Sequence, residues 1–144
     1  MIQIVALLAI AASPSGASTI DRSPAGARIV VEHYYAAIER GRYRTAWLAW
    51  DRSGAASRQS LASFTRGYAA TAHVRVVAGV PRDGEGAAGS VFITVPVQVA
   101  AVLKDGRRQA FAGSYVLRRV NDVSGATPAQ RVWHLASASL RQVS

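Results

Sequence analysis

Cysteine is absent from the 144 residues. Its absence excludes a disulfide framework, thiolate nucleophiles, zinc–thiolate sites and lipid attachment through a cysteine. Lysine is nearly absent: Lys104 stands alone beside 16 arginines. Acidic residues number only eight, which leaves a formal net charge of +9. Such a surplus suits an acidic partner, either nucleic acid or an anionic envelope surface. The arginines are scattered, however. Only Arg107-Arg108 and Arg118-Arg119 are adjacent, there is no basic run, and basic residues do not interleave with aromatic ones. The charge therefore reads as arginine-rich composition and not as a nucleic-acid signature.

Catalytic signatures are missing too. There is no G-x-S-x-G, and Gly84, Gly86 and Gly89 fall in a turn between strands with no helix to follow, so they make no phosphate cradle. His33, His73 and His134 are far apart and lack metal-ligand spacing. Neither a metal nor a cofactor is expected.

What is present suits one globular domain: half the residues are hydrophobic and 17% are charged. Residues 4–12, IVALLAIAA, form a run of nine apolar residues. A bilayer span needs about 20. The run instead matches the apolar core of a secretory signal, followed by helix-breaking Pro14 and Gly16 and by small residues at Ser15 and Ala17. No lysine or arginine precedes it, a departure from the usual pattern. The expected organisation is a signal over residues 1–17, a lead-in over 18–23 and one domain over 24–142. The expected location is periplasmic or secreted.

Ser23 and Pro24 make a helix start, the serine as cap and the proline in the first turn. Ala27, Val30, Val31, Tyr34, Tyr35 and Ile38 then recur at spacings of three and four, which predicts a helix ending at Gly41. Further helices are predicted over residues 43–50 and 58–70. The period then changes to two. Strands are predicted over 73–80, 90–103, 107–121 and 130–141, with a tight hairpin at Asp105-Gly106. A two-residue turn there sets Pro96 opposite Tyr115 at a hydrogen-bonded position. Proline has no N–H to give, so a bulge is expected beside it.

Three helices followed by a long antiparallel sheet resemble the nuclear transport factor 2-like superfamily, the cystatin-like α+β cone. The stretches VVEHYYAAIERGRYRTAWLAW, PVQVAAVLKDGRRQAFAGSYVLRRVN and RVWHLASASL carry the resemblance. It implies an α+β fold with three N-terminal helices packed on a curved, four-stranded, mostly antiparallel sheet that encloses a pocket. It also implies homodimers through the outer sheet face. The superfamily hosts ketosteroid isomerases, scytalone dehydratase and many binding modules, so it does not specify an activity.

An isomerase of that type needs a base and a carboxylic acid kept protonated in an apolar site. Asp51 is the nearest candidate base. Residues 91–120 contain no acid except Asp105 in the turn, so the protonated acid has no candidate. The pocket lining is assigned to Tyr35, Trp47, Tyr115 and His134. The expected function is a non-catalytic exported module that binds a small apolar ligand or an envelope protein. The alternatives are an isomerase- or dehydratase-type enzyme using a pocket Tyr, His or Asp, and a basic surface for polyanions.

Overall fold

The computed structural model describes residues 22–83, 89–121 and 124–144. The expected signal and most of the expected lead-in lie outside the described residues, as do Gly84 and Gly86. Helix α1 spans Pro24–Glu39, and Ser23 caps it through its side-chain oxygen, which accepts from the Gly26 N–H. Its buried face is Gly26, Ala27, Val31, Tyr34, Tyr35, Ala37 and Ile38, the three-and-four stripe with one flank filled in.

Helix α2 is shorter than predicted, Tyr43–Leu48, because the chain leaves it to run along a strand. Asp51 donates its N–H to the Leu135 carbonyl at 2.8 Å, and the Leu135 N–H donates to the Ala49 carbonyl at 2.9 Å. Helix α3 is Leu61–Gly67, capped by Ser60, whose side chain accepts from the Ser63 N–H. The residues just before it form a one-turn 3-10 segment, Ala55–Ser57.

The strands are β1 Thr71–Ala78, β2 Arg82–Asp83, β3 Ser90–Leu103, β4 Arg108–Val120 and β5 His134–Gln142. They form one antiparallel sheet in the order β1-β3-β4-β5, with the two-residue β2 also pairing with β3. The helices pack against this sheet, so the chain is α+β. Ile93, Val95, Val97, Val99 and Ala101 on β3 alternate inward and meet Tyr115 and Leu117 of β4, Leu135 of β5 and the buried stripe of α1. Among the described residues no helix is long and apolar enough to cross a membrane.

The bulge expected at Pro96 is not there. Pairing of β3 with β4 runs unbroken, and Pro96 stands opposite Ser114, not Tyr115. The hairpin loop is one residue longer than a two-residue turn. The Leu103 N–H donates to the Arg107 carbonyl at 2.8 Å and the Gly106 N–H to the Leu103 carbonyl at 2.9 Å. Gly106 has φ +89°, the left-handed residue that closes a three-residue hairpin. Counting by twos from the bonded pair Leu103–Arg107, the slip puts Pro96 at a non-hydrogen-bonded position, where β4 asks nothing of its nitrogen. On its other side β1 has ended at Ala78, and the Pro96 carbonyl accepts from the Gly79 N–H at 2.8 Å. The irregularities lie in the outer strands, where Ala72 and Ala136 are each the extra residue.

The Glu39 carboxylate joins α1 to β1. Glu39 Oε2 accepts from the Val74 N–H at 2.8 Å, and its Oε1 lies 2.8 Å from His73 Nδ1. The His73 contact, and after it the Val74 N–H, hold the Glu39 carboxyl below its ordinary range against the opposing effect of desolvation. A depressed native value means that the folded chain binds this proton less readily than the unfolded one. The contribution is therefore whole above the ordinary glutamate range and is lost as pH falls through the native value. Urea denaturation between about pH 6 and pH 3 should show an acid limb that is shallower in Glu39→Gln than in the parent. Because Glu39 is about a third exposed, the difference should be small.

Candidate functional site

Tyr34 and Tyr35 are neighbours on α1, yet both are buried. Adjacent helical residues diverge by about 100°. Tyr34 therefore leans toward Trp50 and Phe64, while Tyr35 reaches β4. The Tyr35 and Tyr115 hydroxyls lie 2.6 Å apart, and Trp50 Nε1 donates to the Tyr34 hydroxyl at 3.3 Å. The rings meet edge-on: centroids are 5.0 Å apart for Tyr34–Tyr35, 5.9 Å for Tyr34–Tyr115 and 6.1 Å for Trp50–Tyr115. Such packing satisfies the ring quadrupoles and leaves the hydroxyls converging.

This aromatic group borders a cavity of about 770 Å³. Phe64, Val74, Val99, Ala101, Phe111 and Leu140 supply apolar wall, and Ser57, Arg58, Gln59, Gln109 and Gln142 supply polar surface. The volume lies within the range typical of small-molecule sites.

Burial pushes the Tyr34, Tyr35, Tyr68 and Tyr115 phenols above their ordinary range, and neighbouring phenols add to the effect at Tyr34 and Tyr115. The Tyr35–Tyr115 hydrogen bond opposes it at Tyr35. These groups stay neutral at physiological pH and act as hydrogen-bond donors and acceptors, not as bases. Between two paired phenols only one proton is used in the contact, so the pair keeps one O–H to give.

Of the four assigned lining residues, Tyr35 and Tyr115 border this cavity, whereas Trp47 and His134 are not among its walls. The Trp47 indole covers Gly54 and donates from Nε1 to the Gln59 carbonyl at 3.0 Å. A side chain at Gly54 would overlap that ring, with its Cβ 2.6 Å from Trp47 Cζ2. His134 is half-buried, with Nδ1 3.0 Å from the Val132 carbonyl. Sequence reading passed over Tyr34, Trp50 and Tyr68 as lining. Trp50 stands three residues from Trp47, the spacing of one helical face, and that spacing masks its place in the cavity wall.

Asp51 is engaged elsewhere: its Oδ2 lies 3.0 Å from Arg118 Nη1. His33 is exposed, and His73 is paired with Glu39. Among the described lining residues there is no carboxylate and no imidazole. No cluster of three or more metal-ligating side chains occurs among the described residues. The adjacent arginines also fail to gather. Arg118 binds Asp51, while Arg119, facing the other way on β4, lies 5.2 Å over the Trp133 ring. Arg107 pairs with Asp105 in the hairpin, about 36 Å along the strand from Arg118.

Comparison with protein-family models, with curated proteins and with solved structures finds no match for this chain.

Proposed function

We propose that the chain is a non-catalytic, exported module of the nuclear transport factor 2-like cone type that binds a small apolar ligand between its helices and β4–β5. The observation that carries this reading is the cavity: apolar walls around a few converging hydroxyls, the usual build of a small-molecule site. The phenols orient a ligand oxygen, and the aromatic rings exclude water from the rest. The enzyme alternative draws on the same 2.6 Å phenol pair, which would polarise a carbonyl. Isomerisation or dehydration also needs a proton acceptor, and the neutral phenols do not supply one. Binding without turnover accounts for the residues at hand with fewer assumptions.

The test is titration with Nile red, an uncharged fluorophore, read by quenching of indole emission. Trp50 lies in the wall, so saturable one-to-one quenching is expected. Ala138→Trp should weaken binding about tenfold or more while leaving the thermal midpoint within a few degrees. Ala138 is exposed, opposite Tyr115 in the β4–β5 ladder, so an indole there enters the cavity without displacing core. No quenching in the parent, or equal affinity in the variant, would refute the reading.

A further inference from the structure

Arg58 is the only charged residue lining the cavity among the described residues. No carboxylate among the described residues forms an ion pair with it. It is exposed, so its guanidinium keeps its water until something of opposite charge arrives.

The backbone at Arg58 is left-handed, a conformation that it shares with Arg52 and Ser53 of the same loop. Its φ of +60° and ψ of +23° place it in the left-handed region. Glycine takes that conformation freely, whereas a residue with a Cβ strains there. Local stability alone favours glycine at this position. Of the three left-handed non-glycine residues in the loop, Arg58 alone lines the cavity.

The loop that presents it is held firmly. Trp47 lies over Gly54 and bonds to the Gln59 carbonyl at 3.0 Å, and the Ser57 hydroxyl donates to the Gly54 carbonyl at 2.7 Å. The strained residue is thus fixed between anchors on either side, and the cavity that it lines also carries the amides of Gln59, Gln109 and Gln142. Phe64, Phe111 and Leu140 supply apolar wall to the same cavity.

We infer that the ligand is an anionic amphiphile: a free molecule with one carboxylate or sulfate head, held by Arg58, and an alkyl or aromatic tail in the cavity. This rests on the ligand-binding reading above. The head gains a charge-assisted, bidentate contact at a site with no carboxylate to repel it, and the tail leaves water. A cationic amphiphile meets Arg58 and is rejected. A neutral one keeps its contacts with the cavity and lacks the charged one to Arg58.

The test uses the full chain and three probes with the same tail: laurate below its micelle concentration, 1-dodecanol and dodecyltrimethylammonium. Binding is read by indole quenching. Laurate should bind about tenfold or more tighter than dodecanol, and the cation weakest. Arg58→Gly should erase the preference for laurate, leave dodecanol affinity unchanged, and keep or raise the thermal midpoint. That last readout separates a recognition role from a structural one. Equal affinities for laurate and dodecanol in the parent would overturn the inference and leave the cavity reading standing. Binding of none of the three would overturn both. Arg58-dependent binding to phosphatidylglycerol vesicles, without binding of monomeric laurate, would overturn the assignment to a free amphiphile.

Discussion

Gly113→Val should lower the thermal midpoint by about 10 °C or more, on the order of 3 kcal/mol. Gly113 is on β4 opposite Leu140 of β5. A Cβ at this position would overlap the Ser139 carbonyl oxygen and stand 2.9 Å from Leu140 Cα. Both obstacles are backbone, so no rotamer change relieves them. β5 would have to move away, opening the ladder from Ser114 to Phe111. Ala138 and Leu140 on that strand line the cavity, so ligand binding should fall with stability. Gly67→Ala is the matched control: nothing lies within 4 Å of its added methyl, and its midpoint should hold or rise slightly.

Trp133→Ala should cost about 3–5 kcal/mol, seen as an earlier urea midpoint with an unchanged slope. The indole is 4% exposed. Its Nε1 donates to the Ser23 carbonyl at 2.9 Å, and the Arg119 guanidinium lies 5.2 Å from its ring. Ser23 also caps α1, so one side chain ties the start of the first helix to the approach to the last strand. Removal opens a void, takes one of three donors from the Ser23 carbonyl, which keeps the Gly26 and Ala27 N–H groups, and takes the face from beneath Arg119. Trp47→Ala should cost less, about 1–2 kcal/mol, because that ring is only half-buried and covers a surface loop. The same change should loosen the segment presenting Arg58.

Helix α1 was legible because its signals agree: a Ser-Pro start, apolar spacing of three and four, and a terminal glycine. The long strands were legible from strict alternation in VFITVPVQV. Pro96 was misread because Asp105-Gly106 suits two hairpin geometries, and a loop longer by one residue changes every partner. Local sequence does not distinguish them; packing of Tyr115 and Leu117 against the core does. The end of α2 was misread because Tyr43, Ala46, Trp47 and Trp50 keep helical spacing, whereas the tertiary bonds from Ala49 and Asp51 to Leu135 pull the chain straight. The Tyr35–Tyr115 contact joins residues 80 apart. Each tyrosine was visible as an aromatic on an amphipathic element, but the pairing of their hydroxyls depends on how α1 lies across the sheet. The bulge at Ala136 sits among small residues, Ala136, Ser137, Ala138 and Ser139, where alternation is too faint to show a skipped step.

Two of the contacts between the helical half of the chain and the sheet also plug its rims. Glu39 occupies the Val74 N–H on the outward side of β1, and Ala49 with Asp51 occupies both polar groups of Leu135 on the outward side of β5. Next to Leu135, the extra residue at Ala136 skews the rim further. Neither border then offers a foreign strand an unbroken row of vacant donors and acceptors, the template on which fibrils grow. A valine-rich sheet of this kind can be concentrated without its copies knitting together side by side.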